Sequence, residues 1–404
     1  MSTPVTARVM DKDPTGLWAH RIPLALYVHL PWCERKCPYC DFNSHALTGQ
    51  IPEEDYLQAL EADLSDEARY SSDRSVSSIF IGGGTPSLFS ARAIGRILEA
   101  VDRDLGLAPE AEITLEANPG SSEAARFADY RAAGVNRLSI GVQSFDDRCL
   151  EALGRVHSAD EARRAIRAAQ EAGFERLNAD LMFGLPGQEL QGAVRDVRTA
   201  LDCGIDHLSH YELTLEPNTV FYARPPKLPD EDRRWAMQQV CAEQMTQAGL
   251  HRYEISAWAA PGQACRHNLN YWRFGDYAAI GAGAHGKLTL ADGGIWRHHK
   301  HRIPERYMSL AGAPARVSWR ELGPDERCFE FMLNALRLTE GLSEALFTER
   351  TGLGASHIRP RLETMVAEGL MEQRPEGDDF GWRPTNRGLD LLNEMQARFL
   401  PEGS

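Results

Sequence analysis

No stretch of roughly 18 or more apolar residues occurs in this sequence, so nothing in it reads as a membrane span. Residues 1–21 show no apolar core behind a basic start, so a cleaved export signal is not expected. Basic residues are short too: 44 Lys plus Arg stand against 58 Asp plus Glu, a formal charge of -14. A chain without a net basic footprint is a poor general binder of nucleic acid. Cysteine is sparse, and five of the eight (Cys149, Cys203, Cys241, Cys265 and Cys328) are scattered, which fits a reducing compartment better than a disulfide framework. No fixed-period repeat is present. What remains is an ordinary globular composition, with 43% hydrophobic and 25% charged residues. At 404 residues it is too long for one core, so a large domain and a smaller one are expected. A cytoplasmic location follows, with peripheral contact at the inner face of the membrane left open.

The other three cysteines lie together in Cys33-Glu34-Arg35-Lys36-Cys37-Pro38-Tyr39-Cys40, behind Tyr27-Val28-His29-Leu30. A purely structural four-iron, four-sulfur cluster takes four thiolates, so three leave one iron open. Zinc, with His29 or His45 as fourth ligand, and a coincidental trio of core thiols are the plainer readings. The x3 and x2 spacing resembles the radical S-adenosylmethionine (SAM) superfamily. That resemblance implies a [4Fe-4S] cluster whose open iron is chelated by the methionine part of SAM, and an electron that can cleave the sulfonium to a 5′-deoxyadenosyl radical.

Downstream, short apolar runs alternate with helical segments. Strands are expected at Pro23–Leu30, Val76–Ile81, Glu112–Ala117, Arg137–Val142, Arg176–Phe183 and near His207–Leu215, with helices over 53–69, 91–104, 159–172 and 190–202 between them. Such alternation means βαβ units, a parallel sheet and right-handed crossovers. Six units fall short of the eight that close a full barrel, so a partial (β/α)6 barrel in an α/β fold is expected. The chain divides as an N-terminal arm (1–22), the barrel (23–216), an extension (217–323) and a C-terminal domain (324–404). Within the extension a helix over 230–248 precedes an irregular, aromatic and Gly-rich stretch. In the last part, helical runs at 325–338, 343–350 and 357–369, a hairpin in LMEQRPEGDDFGWRP and a final helix resemble a winged helix. This α+β segment carries nine Arg and no Lys against fifteen Asp plus Glu, so a protein contact or a lid is expected rather than DNA.

In parallel barrels chemistry gathers at the C-terminal strand ends. The first end here carries the cysteines, and the next four carry Gly83-Gly84-Thr85, Glu116, Gln143 and Asp180. Glycine at 83 and 84 lets backbone approach the methionine amino group, with no Cβ between. Arg155 offers charge-assisted bonds to its carboxylate. Glu116 and Asp180 can accept from ribose hydroxyls or balance the sulfonium, and Gln143 supplies a donor and an acceptor.

The motifs YVHLPWCERKCPYCDF, GGGTP, LEANP, GVQSF, GRVHS and DLMFGLPGQ resemble the oxygen-independent coproporphyrinogen III oxidase family of radical SAM proteins along nearly the whole chain. The resemblance implies Cys33, Cys37 and Cys40 as cluster ligands, and Tyr27, Gly83, Gly84, Thr85, Glu116, Gln143, Arg155 and Asp180 around SAM. Three features favour the family's haem-binding chaperone branch over its decarboxylases. Asp41-Phe42 replaces the C-x-C cysteine, the motif begins close to the N-terminus, and His267-Asn268-Leu269-Asn270-Tyr271-Trp272 is similar to the branch's HNxxYW. His is a common axial haem ligand, and aromatics such as Tyr271 and Trp272 can stack on a porphyrin beside Asn268. The plainer reading is a core His with packed aromatics. Cys265 near His267 is not C-x-x-C-H, so covalent attachment is unsupported.

The branch resemblance implies haem as cargo, a haem-accepting protein such as a membrane respiratory enzyme, a haem donor such as a storage protein, and a homodimer as one assembly. The competing readings are radical decarboxylation of coproporphyrinogen III and a radical SAM methyltransferase or haem-degrading enzyme. Arg297-His298-His299-Lys300-His301-Arg302 could hold haem propionates, but a charge run is ordinarily a solvated loop. Gly281-Ala282-Gly283-Ala284-His285-Gly286 matches G-x-G-x-x-G on paper. It neither follows the first strand nor opens a helix, so a dinucleotide site is not expected.

Overall fold

Apolar runs too short for helices become six parallel strands in the computed structural model, which describes residues 17–71, 74–376 and 379–401. They are β1 (Leu24–Leu30), β2 (Val76–Gly83), β3 (Leu107–Ala117), β4 (Arg137–Gln143), β5 (Leu177–Phe183) and β6 (His207–Glu212). Their order in the sheet follows the sequence. Amphipathic helices cover the outer face: α1 (Glu53–Ala68), α2 (Ala91–Asp104), α3 (Ala159–Glu171) and α4 (Leu190–Asp202). Their starts are written locally. Ser90 accepts from Ala93 N–H, and Ser158 and Glu161 form a reciprocal capping box. The core between sheet and helices is aliphatic, with Leu26, Ile79, Leu115 and Ile140 fully buried. The fold is the expected open (β/α)6 partial barrel.

The extension is not irregular. After α5 (Glu231–Gln247), β7 (His251–Glu254) and β8 (Ala257–Ala259) pair onto one edge beside β6. A short helix, α6 (Arg266–Trp272), then leads to β9 (Asp276–Ile280), which lies parallel to β1 on the other side. β10 (His285–Thr289), β11 (Ile295–Lys300) and β12 (Arg316–Glu321) follow as antiparallel neighbours. The whole sheet is twelve-stranded, in the order β12-β11-β10-β9-β1-β2-β3-β4-β5-β6-β8-β7. Gly281–Ala284 is the turn from β9 into β10, and His285-Gly286 open that strand rather than a helix, unlike a dinucleotide loop.

The expected solvated basic loop is also corrected. Residues 297–300 lie in β11, and strand alternation sends His298 and Lys300 to the α1 side. Lys300 Nζ binds Asp63, and Glu67 Oε1 at 2.8 Å, with both carboxylates fully buried. His298 Nε2 stands 3.2 Å from Glu67 Oε2, and Arg316 reaches Asp66 and Glu67 at 2.7 and 2.8 Å. A second buried set ties β9 to the loop before β2, where Asp276 takes Arg74 and Lys287, each at 2.7 Å.

The C-terminal segment forms α7 (Pro324–Ala335), α8 (Glu344–Thr351) and α9 (Arg359–Ala367), with β13 (Leu342–Ser343), β14 (Met371–Glu376) and β15 (Asp379–Pro384) as an antiparallel sheet ordered β13-β15-β14. This is the winged-helix-like arrangement. Its apolar cluster of Phe331, Phe347 and Trp382 takes in Phe274 and Ile295 of the extension, so the two pack as neighbours. Of the arm over 1–22, residues 1–16 lie outside the described residues, as do residues 377–378 of the expected hairpin. Among the described residues no helix is long and apolar enough to cross a membrane.

Candidate functional site

Behind β1 the chain closes on itself. Trp32–Cys33 pairs with His45–Ala46, and Cys40 N–H donates to the Cys37 carbonyl at 3.2 Å. Lys36 Nζ binds the Phe42 and Ser44 carbonyls at 3.1 and 3.3 Å, drawing the loop tight. Cys33 is buried and Cys37 and Cys40 are half-buried, and all three line one cavity of about 500 Å³. Arg155 Nη1 points at Cys37 Sγ from 3.7 Å, a cation placed against a sulfur that must carry negative charge to bind iron.

The GGG strand end is pressed against this loop. Gly84 N–H donates to Leu30 O at 2.8 Å and Thr85 N–H to Trp32 O at 2.7 Å. A Cβ on Gly84 would lie 2.5 Å from the Trp32 carbonyl oxygen. Gly83 has φ +119°, a conformation open to glycine, and a Cβ there would strike the His29 ring. That ring is fixed by Tyr27 Oη at 3.0 Å on Nδ1 and by the Asn43 carbonyl at 2.9 Å on Nε2. Burial lowers the His29 pKa to about 4, so near neutrality the ring is uncharged, donating to Asn43 and accepting from Tyr27.

The predicted strand-end residues converge. Gly83, Gly84, Thr85, Glu116, Gln143, Arg155 and Asp180 all face the cysteine cavity. Tyr27 faces a neighbouring cavity that shares Gly83 and Glu116 with it. Burial, helped by the nearby Asp180 charge, raises the Glu116 pKa to about 8, against the lowering effect of the Gly83 N–H at 3.1 Å. Asp180 is raised by burial as well, opposed by bonds from Ser209, Asn178 and Ser139. Gln143 sits at φ +66°, rare outside glycine, and its Oε1 accepts from Tyr211 Oη at 2.9 Å. Two carboxylates held in a low-dielectric cavity want a cation, and a sulfonium supplies one.

Sequence reasoning missed the residues behind these. Asn118 donates to Thr85 Oγ1 at 3.1 Å and accepts from Arg155 at 2.7 Å, linking two strand ends. Asn178 donates to Asp180 at 2.8 Å. Arg137, Ser139 and Gly141 line the cavity beside Gln143. Strand period was the available signal: stepping back by two from Gln143 or Asp180 reaches Gly141, Ser139 and Asn178.

The four residues of HNLNYW expected at haem do not converge. His267 is 1% exposed, its Nδ1 is 3.1 Å from Ser78 Oγ, and burial lowers its pKa to about 3. Its ring lies against Phe80 and Tyr271, and Nε2 is buried without a partner. Asn268 faces the cysteine cavity, and Tyr271 faces the neighbouring one. Trp272 lies under the Arg337 guanidinium, 4.4 Å from its ring centre. The four residues expected at haem are thus divided between the core, the cysteine cavity, its neighbour and a contact with Arg337. A core polar ring is what the packing makes of His267.

Three thiols and the acidic side chains of Glu116 and Asp180 line one cavity, a set whose chemistry suits an iron–sulfur cluster and a sulfonium, as in radical SAM proteins. The Radical SAM superfamily model matches residues 27–200, and the HemN C-terminal domain model matches 322–391. Within that class the chain belongs to the HemW family. It is 49% identical to the heme chaperone HemW of Escherichia coli over 380 residues, covering 94% of this chain and 99% of that one. Identity is 45% to the HemW of Haemophilus influenzae (94% and 98% covered) and 36% to that of Bacillus subtilis (93% and 99%). Among solved structures, coproporphyrinogen III oxidase (HemN) from Escherichia coli shares the fold, with a TM-score of 0.77 at 22% identity over 95% of this chain and 92% of that one.

Proposed function

We propose that this chain binds haem and delivers it to haem-requiring proteins, and that it carries a [4Fe-4S] cluster and SAM while doing so. The observation behind the haem reading is near-full-length identity of 49% to a protein named as a heme chaperone. Asp41-Phe42 in place of a further cysteine supports it over the decarboxylase reading.

Cys33, Cys37 and Cys40 would hold the cluster, with Arg155 beside Cys37 balancing its charge. Tyr27, Gly83, Gly84, Thr85, Glu116, Gln143, Arg155 and Asp180 would hold SAM, the two acids facing the sulfonium. When bound, the cluster supplies the electron that can cleave that sulfonium. Segment 23–216 would carry this site, 217–323 the haem contacts and 324–404 a lid over them. The HNLNYW helix enters this reading as a wall, through Tyr271 and Asn268 rather than through His267 or Trp272. The acceptor would be a respiratory enzyme reached from the cytoplasmic side of a membrane, with a storage protein as donor and a homodimer as the assembled form.

Anaerobic reconstitution followed by two assays tests the proposal. Stoichiometric haem uptake, measured by absorbance, is expected without conversion of coproporphyrinogen III in the presence of SAM and reductant. Formation of the divinyl product would replace the chaperone reading by the oxidase reading.

A further inference from the structure

The same alternation that turns His298 and Lys300 toward α1 turns their neighbours the other way. His285 of β10 stands opposite His299 of β11, and Lys287 opposite Arg297. His285 lines one cavity with Tyr27 and His29 of β1 and Tyr277 of β9, and a second one with Arg297 and His299, while Lys287 is buried on Asp276. The His285 and His299 rings stack, with centroids 5.1 Å apart and planes at 22°, and Ser318 Oγ fixes His299 Nδ1 at 2.6 Å. Two cavities meet at His285. One, of about 450 Å³, runs past Tyr271 and Tyr277 to Gly83 and Glu116 and has Arg302 at its rim. The other, of about 710 Å³, runs under α7 past Phe329, Leu333 and Leu400. Leu333 and Leu400 are 39% and 50% exposed, so this wall is apolar and open.

Resting on the haem reading above, we propose that this groove is the haem seat, that His285 is the axial ligand to its iron, and that Arg302 receives a propionate. A porphyrin asks for apolar or aromatic walls, a cation in reach of a carboxylate, and an uncharged imidazole in reach of the metal. The walls are Tyr271 and Tyr277 on one side and Leu333 and Leu400 on the other. Three guanidiniums border the groove, and two are already engaged: Arg297 with Glu330 at 2.5 Å, and Arg320 with Glu326. Arg302 reaches the Asn43 side-chain oxygen at 3.5 Å and, among the described residues, has no carboxylate partner. The His285 imidazole is exposed. Partial burial, with His299 and Arg297 next to it, moves its pKa below the ordinary value and keeps its lone pair free near neutrality. His267 meets none of these conditions of access. The groove also shares Gly83 and Glu116 with the cysteine cavity, so cargo would rest against the SAM site.

The test is titration of the full-length, reconstituted chain with ferric haem, read by absorbance and electron paramagnetic resonance. The wild-type chain takes up haem with an imidazole-ligated signature. His285→Ala loses that signature, binds at least about tenfold more weakly, and regains the signature with added imidazole. Arg302→Gln weakens haem about tenfold and leaves the haem dimethyl ester unaffected, because the ester has no carboxylate to lose. His285 is on the surface, so the unfolding midpoint of His285→Ala should match wild type. An unchanged signature and affinity in His285→Ala would overturn the assignment while leaving haem binding intact. Zinc uptake that depends on His285, with haem uptake indifferent to it, would overturn it equally. A wild-type chain that takes up no haem sinks the underlying function instead.

Discussion

The six-stranded barrel and the strands beside it form one sheet and are stabilised in opposite ways. In the barrel the face turned to the helices is aliphatic, while polar side chains such as Arg137, Ser139 and Asn178 occupy the face that lines the cavity, and each strand pairs with a neighbour one βα unit away. In β9–β12 the buried side chains include Lys287 and Lys300, neutralised by carboxylates of Asp276, Asp63 and Glu67, with the His298 ring 3.2 Å from Glu67. Asp63 and Lys300 are 237 positions apart. The barrel is held by a term that is roughly proportional to apolar area and forgiving of detail. The extension is held by a few ion pairs in which each partner is essential once the other is buried.

That contrast can be broken in order of expected effect. Lys300→Ala leaves Asp63 and Glu67 buried without their shared cation, and should cost about 3–5 kcal/mol in urea unfolding. A loss comparable to that of an exposed ion pair would mean the network is hydrated and the contrast overstated. Gly84→Ala drives a Cβ into the Trp32 carbonyl, so it should cost about 2 kcal/mol and reduce iron retained by the cysteine loop. Full iron content after reconstitution would show that the loop gives way freely.

The smallest expected effect is a pH dependence. With the Glu116 pKa raised to about 8, the folded apo protein holds a proton that the unfolded chain releases near its ordinary value. Stability from this group is therefore present at low pH and declines from about pH 4.5 up to about 8. A sulfonium facing the carboxyl favours its charged form, so SAM binding should release a proton and strengthen as pH rises from 6 to 8. Calorimetry in buffers of different ionisation enthalpy reads that proton, and Glu116→Gln should abolish it. A pH-independent affinity in the wild-type chain would move the sulfonium away from Glu116.

The cysteine trio, the six barrel strands and the residues at their ends were legible because each signal is local. A strand shows its own apolar run, and a ligand loop its own spacing. His267 shows where that reading stops, since the same six letters fit an exposed ligand or a core ring. Ser78 and Phe80, nearly 190 positions away, decided for the core. The run from Arg297 to Arg302 was misread for a related reason: a buried charge looks like a solvated one until its partner is known.

What the sequence determined by itself was the βα alternation, the family and the grouping of three thiols in one loop, all carried by residues within a few positions of one another. Only the tertiary structure decided which charges go inside, because their burial is stable only against carboxylates the chain supplies from far away. It also decided which histidines look outward, because that depends on the register of β10 against β11, which no single strand specifies.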